Sequence, residues 1–143
     1  MNKNTFKTVK LAKGEANVYD FGAVKLHAYK TNDPISDEVF IAEKNGKAVV
    51  IEPPCFFDNC RELAEYLAPL AVEGVLVAYH GAGASFLPDA PKYATNNAAE
   101  YSESGGGKAL INNFAEVFGD IFDNSVHKIT NIIGEGKITL GGI

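Results

Sequence analysis

Residues 77–86, VAYHGAGASF, contain the best-placed candidates for chemistry in this sequence. Apolar residues at 75–78 are typical of the end of a buried strand, and α/β proteins usually react in loops at the carboxyl ends of strands. Tyr79 and His80 are the reactive side chains here, because the neighbouring positions are glycine and alanine. A single histidine in a loop more often makes a hydrogen bond than takes part in a reaction. Three interpretations of this loop therefore stay open: an active site, the remnant of an active site, or a simple turn.

Three carboxylates flank this loop along the chain. Glu52 and Asp58 lie on either side of a turn, and Asp89 follows the loop. Together with His80 they could form an unorthodox metal site, because carboxylate oxygens and imidazole nitrogens both bind metals. Their spacing does not require one. With Tyr79, these four are candidate ligand-binding residues, and no catalytic residue is assigned.

Two cysteines and two other histidines have no spacing that indicates a site. Cys55 and Cys60 form a C-x4-C pair, which matches neither a zinc framework nor a C-x-x-C redox motif. We expect free thiols that behave as small apolar side chains, with a thiol-based role as an alternative. His27 and His127 are expected to be structural.

The glycine-rich stretch SESGGGK at 102–108 invites a phosphate-loop interpretation. The Walker pattern requires G-x-x-x-x-G-K followed by Ser or Thr. Here the first glycine position is Ser102, and Ala109 follows Lys108, so the pattern fails. We predict a flexible hinge or lid instead.

The elements that would position these residues follow from hydrophobic periodicity. Alternating stretches at 17–22 and 23–30 predict antiparallel strands, and Asn45-Gly46 between two apolar runs predicts a tight hairpin. After Pro53-Pro54 the period changes to that of a helix. The further predictions are a helix over 58–70 capped by Asp58, strands over 73–79 and 91–95, a helix from Asn96, an amphipathic helix over 108–122 with Val117 and Ile121 in its apolar stripe, and two strands around 134–136.

Length and charge limit the classes of protein and partner. The 143 residues suit a single domain, 1–143, with 46% hydrophobic and 22% charged residues. A net charge of −5 and no basic block argue against nucleic acid and anionic membrane partners. No apolar run approaches the roughly 20 residues that span a bilayer. The polar N-terminus lacks the core of a signal peptide, so we expect a cytoplasmic protein.

The order of the segments within residues 39–95, and their amino-acid sequences, resemble the N-terminal half of the metallo-β-lactamase superfamily. The matching stretches are the hairpin VFIAEKNGKAVVIE, the helix NCRELAEYL, the strand GVLVA and the segment LPDAPKYAT. The last residues, GKITLGGI, resemble the stretch that opens the family's second half. The resemblance implies an α+β, or mixed α/β, layered sandwich. It would be half of the family's αββα fold, a mostly antiparallel sheet with helices on one face.

The resemblance is most informative at the family's metal loop, T-H-x-H-x-D-H. Laid on AYHGAGA, the motif places Tyr79 on the first histidine, Gly81 on the second, Gly83 on the aspartate and Ala84 on the last histidine. His80 falls on a variable position. Glycine and alanine offer no donor atom, and packing or plugging is favoured over ligand binding for Tyr79. The alignment therefore implies that this loop does not hold the family's first metal.

The leading hypothesis is a catalytically degenerate member that acts as a binding, regulatory or assembly module without a cofactor. The alternative is a metal-dependent hydrolase that holds zinc or iron through non-standard ligands or a missing second half. A half-sandwich would expose an apolar sheet face, so we expect a homo-oligomer, a fragment, or a partner chain covering that face. A small-molecule ligand is compatible with either hypothesis.

Overall fold

The structure is a computed structural model that describes residues 11–77, 82–83, 85–125, 129 and 131–143. These residues form one sheet, three α-helices and a short 3-10 turn, Gly119–Ile121. The strands are β1 (Ala16–Asp20), β2 (Lys25–Lys30), β3 (Glu38–Lys44), β4 (Lys47–Ile51), β5 (Ala71–Leu76), β6 (Lys92–Thr95) and β7 (Asn131–Ile133). The helices are α1 (Phe57–Leu67), α2 (Asn96–Glu103) and α3 (Gly105–Phe118). None of these described helices is long and apolar enough to cross a membrane.

The first four strands form an antiparallel meander, as their alternating patterns predict. Asn45 and Gly46 connect β3 to β4 with φ angles of 52° and 74°. Positive φ at both central positions is the mark of a type I′ turn, so the predicted hairpin is confirmed. The ladder between β2 and β3 is the longest in the sheet, and it is antiparallel.

The second half of the sheet is parallel. Strands β5, β6 and β7 follow β4 in spatial order, each parallel to its neighbour. Such strands need crossover connections, and α1 supplies the one between β4 and β5. The mixed α/β fold class with a mostly antiparallel sheet is confirmed.

One face of the sheet carries the main core. Helices α1 and α2 pack there through Leu63, Leu67, Ala98 and Ala99, as the helical period of α1 predicts. The strands contribute buried side chains to the same cluster, chiefly Tyr29, Val39, Ile41, Ala48, Val50 and Val75. Helices α1 and α2 therefore share this face, as expected, while α3 packs in a second cluster with Cys55 and Phe56.

The opposite face, which we call the open face, is also apolar. Strand alternation and register place two uncharged rows across it, because alternate side chains point to the same side. The rows are Tyr19, Leu26, Ala42, Val49 and Gly74, and next to them Ala28, Phe40, Ile51, Leu76 and Tyr93. Tyr19 is 46% exposed and Phe40 is 38% exposed. The chain's last residues approach β5, where a Cβ at Gly74 would lie 3.0 Å from Leu140.

Three local predictions are wrong. Helix α1 has Phe56 as its N-cap, without a side-chain cap, and Asp58 lies in the first turn instead. The glycines at 105–107 form the first turn of α3, because Ser104 Oγ accepts the N–H of Gly107 at 3.1 Å. They are therefore not a hinge or lid. After β7 the described residues around 134–136 continue without the predicted second strand.

Candidate functional site

The candidate site is the edge of the sheet where β4 and β5 end. The residues described there belong to the β2–β3 loop, to the turn after β4, to positions 82–83 and to the segment after α3. Loops at the carboxyl ends of adjacent strands meet at one sheet edge, which is why distant parts of the chain converge here.

Asp33 anchors the β2–β3 loop to the turn after β4. Its side chain is buried at 1% exposure, and its Oδ1 accepts the N–H groups of Ile35 at 2.7 Å and Ser36 at 3.0 Å. Its Oδ2 accepts the N–H of Cys55 at 2.7 Å. A buried carboxylate is tolerated when hydrogen bonds satisfy its oxygens, as they do here. Sequence reasoning missed this residue, although Asp-Pro is a recognisable turn signal.

Glu52 starts the turn in an unusual backbone conformation. Its φ is 56°, which side-chain-bearing residues seldom adopt, and its N–H donates to the carbonyl of Leu76 at 3.0 Å. Pro53 and Pro54 follow and are buried. The turn is thereby fixed against the end of β5, next to the candidate loop.

Gly83 packs directly on this turn. Its φ is 78°, and an added Cβ would lie 2.8 Å from the carbonyl oxygens of both Pro53 and Pro54. Real Cβ atoms essentially never show so short a contact. Position 83 therefore accepts glycine in this conformation and has no room for a side chain.

Asp123 joins the segment after α3 to the same site. Its carboxylate accepts hydrogen bonds from the Ser85 hydroxyl and, at 2.9 Å, from the N–H of Ser125. Its own N–H donates to the carbonyl of Cys55 at 2.8 Å. Ala82 lies nearby in a small apolar cluster with Cys55, Phe56, Ile111 and Phe122. No feature of the local sequence singles out Asp123, because its partners come from distant segments.

The two cysteines are free thiols, as predicted. Burial raises the pKa of Cys60 to about 12, with the Asp123 and Asp33 carboxylates as smaller causes. Burial raises the pKa of Cys55 further, with the Asp33 carboxylate as the next cause. Thiolates are the reactive form of cysteine, so both residues are poor nucleophiles at neutral pH.

His27 forms a buried polar chain beneath α1. Its Nδ1 lies 2.7 Å from the Tyr66 hydroxyl, and its Nε2 lies 2.8 Å from Oε2 of Glu43. Burial, and then the Glu43 carboxylate, raise the pKa of Tyr66. The contacts link β2, β3 and α1 in agreement with a structural role, while His127 lies outside the described part of the chain.

The predicted site residues are placed as follows. Tyr79 and His80 lie outside the described residues, and Glu52 stands in the turn beside Gly83. Asp58 faces a cleft between α1 and α3 and pairs with Arg61 at 3.0 Å. Asp89 borders a different cavity, near the end of α1. Asp58 and Asp89 are thus not brought into one cavity.

Metal binding depends on several ligands converging at one point. Within the described ranges, no three His, Cys, Asp or Glu side chains come together in a way that could hold a metal ion. The ligand set of Glu52, Asp58, Asp89 and His80 stays a prediction, since His80 is not described.

Solved structures with a similar fold are metallo-β-lactamase structures. A β-lactamase domain protein from Burkholderia ambifaria superposes with a TM-score of 0.57 at 14% identity, covering 96% of this chain and 49% of that one. The DIM-1 metallo-β-lactamase superposes with a TM-score of 0.52 at 12% identity, and the match covers 90% of this chain and 56% of that one. This chain therefore has a metallo-β-lactamase-like fold and spans about half the length of these relatives. Neither a protein-family model nor a curated protein matches it.

Proposed function

We propose that this chain is a metallo-β-lactamase-like protein that lacks the family's metal site and serves as a binding, regulatory or assembly module. The packing of Gly83 on the Pro53-Pro54 turn carries this proposal. In the sequence alignment, position 83 corresponds to the aspartate of the family's metal loop.

An aspartate at position 83 does not fit the structure. Its Cβ would overlap two carbonyl oxygens at 2.8 Å, and its carboxylate would bring negative charge toward those partly negative atoms. The donor chemistry of the loop agrees, because glycine and alanine at 81, 83 and 84 cannot bind a metal. A metal held in the family's manner would require the turn to move.

Metal content tests the proposal. Protein purified without chelator is expected to contain only background zinc, iron and manganese by mass spectrometry. The matched double variant Glu52→Gln/His80→Ala should contain the same amount. A stoichiometric metal that the double variant loses would overturn the proposal. That result would favour a metal-dependent hydrolase with non-standard ligands.

The open face supports an assembly role. Its most exposed side chains, Tyr19 at 46% and Phe40 at 38%, would be costly to leave in water, since burying apolar surface gains about 25 cal/mol per Å². A second copy of this chain would offer an equally apolar face, and two-fold pairing of identical surfaces is the commonest oligomer. We therefore propose a homodimer formed through the open face.

Light scattering over a wide concentration range tests the dimer. Phe40→Glu places a charge in the middle of the open face and should give a monomer. Val117→Glu, on α3 at 74% exposure, is the matched control and should remain dimeric. A wild-type protein that stays monomeric at every concentration contradicts the dimer without affecting the metal test.

A further inference from the structure

A cleft of about 490 Å³ lies between the start of α1 and the end of α3. Small-molecule sites occupy about 300–1,000 Å³ and are mostly apolar with a few placed polar groups. The floor of this cleft is aromatic: Phe56 is 4% exposed, and its ring meets Phe118 edge-on with centroids 5.0 Å apart. We name it the aromatic cleft.

The rim of the aromatic cleft is apolar and exposed. Phe57 is 53% exposed and Ile121 is 60% exposed, although the pattern of α3 predicts Ile121 in the buried stripe. Val117, one turn earlier in the same predicted stripe, is 74% exposed. Val117 is not part of the cleft lining, whereas Ile121 is, so the end of the stripe lies at this cleft, where a ligand could cover it.

One polar side chain of the cleft, Asn59, leaves an acceptor oxygen available. Asn59 is 6% exposed, and its Nδ2 donates to Oδ1 of Asn32 at 2.7 Å. Its own Oδ1 receives no hydrogen bond from the described residues. Since no fully buried side-chain polar atom of the described chain lacks a partner, this oxygen is open to solvent or ligand.

The charges of the cleft favour a cation. Asp120 lies at its edge and forms no ion pair with any described residue. The ammonium of Lys13 is already paired with Glu62 at 2.8 Å, and Asp58 is paired with Arg61. The uncompensated charge is therefore the carboxylate of Asp120.

We propose that the aromatic cleft binds a small apolar amine. The ammonium group would donate to the Asp120 carboxylate, with Asn59 Oδ1 as a further acceptor, and the apolar body would lie on the phenylalanine rings. Aromatic faces also attract cations directly. This site goes beyond the proposed function, because it uses neither the metal-loop position nor the open face.

Three probes of nearly equal size test the ligand class by titration calorimetry and amide chemical shifts. Phenethylamine should bind more tightly than phenethyl alcohol, and hydrocinnamate, which carries a carboxylate, should bind most weakly. Equal affinities, or a preference for the carboxylate, would overturn the proposal.

Variants assign the binding to the aromatic cleft. Asp120→Asn should weaken phenethylamine binding about three- to tenfold, as expected for a partly exposed charged hydrogen bond, and leave the alcohol unchanged. Glu116→Gln removes the same charge from α3 at a position outside the cleft lining and should have no effect. Phe57→Ala truncates an exposed side chain and should weaken amine and alcohol alike. An unchanged affinity in Asp120→Asn would refute the site.

Discussion

Oδ2 of Asp33 accepts the backbone N–H of Cys55 at 2.7 Å, across 22 residues of sequence. The bond ties the β2–β3 loop to the turn after β4. Because Gly83 packs on that turn, a single carboxylate supports both sides of the candidate site.

Replacing Asp33 tests this support. Asp33→Ala leaves three backbone N–H groups without their acceptor and should lower the free energy of unfolding by about 3 kcal/mol. Urea denaturation measures the change. Asp37→Ala is the control, since that side chain is 67% exposed and its pair with Lys30 should contribute under about 1 kcal/mol. Equal losses in the two variants would show that Asp33 does not hold the turn.

Gly83→Ala and Gly22→Ala separate backbone strain from steric overlap. Both glycines have similar φ angles, 78° and 82°, but a Cβ at Gly22 meets nothing within 4 Å. Gly22→Ala should lower the free energy of unfolding by about 1 kcal/mol, because alanine is disfavoured in the left-handed backbone conformation. Gly83→Ala should cost about 2 kcal/mol more, because the turn must shift. Similar thermal midpoints for the two variants would mean that position 83 has room.

The pH dependence of thiol alkylation follows from the raised pKa of Cys60. With a pKa of about 12, the thiolate fraction at pH 8 is about 10⁻⁴, so iodoacetamide should modify the folded protein far more slowly than the unfolded protein. The Cys55→Ala variant isolates the rate of Cys60. Labelling as fast as that of an unfolded control at pH 8 would contradict the burial of this thiol.

The same shift predicts the direction of alkaline destabilisation. The fold favours the protonated thiol, so its contribution to stability is complete below the unfolded value of 9.0 and declines as pH rises toward 12. Urea midpoints should therefore fall above pH 9, and Cys60→Ala should reduce that fall.

His27→Leu tests the buried polar chain. The substitution leaves the Glu43 carboxylate and the Tyr66 hydroxyl without their partner and should cost about 2–3 kcal/mol. Adding Glu43→Leu should recover part of the loss, which a double-mutant cycle measures. Lys47→Ala breaks an exposed pair with Glu73 and should cost under about 1 kcal/mol. A loss of unfolding free energy as small as that of Lys47→Ala would show that His27 has no structural role.

Local chemistry explains which elements were predictable. Asn45-Gly46 specifies its turn through backbone preferences alone, and Leu63 and Leu67 indicate the buried side of α1 by spacing. Glycines usually break helices, but here the Ser104 side chain caps a helix that begins with the glycines at 105–107, and the cap outweighs that preference.

The candidate site was less predictable, because its contacts are long-range. Asp33 meets Cys55, and Ser85 meets Asp123, over separations that no periodic pattern encodes. The alignment places a glycine at position 83, where the family's motif has an aspartate. Only the folded chain shows that two carbonyl oxygens fill the space beside it.

The contact of Gly83 with the prolines also constrains mutational history. A codon change that placed a side chain at 83 would encounter Pro53 and Pro54 before it could provide any benefit. A substitution that relaxes the turn must therefore accompany it. Position 83 and the Pro53-Pro54 turn therefore form a pair in which a side chain at the first depends on a change in the second.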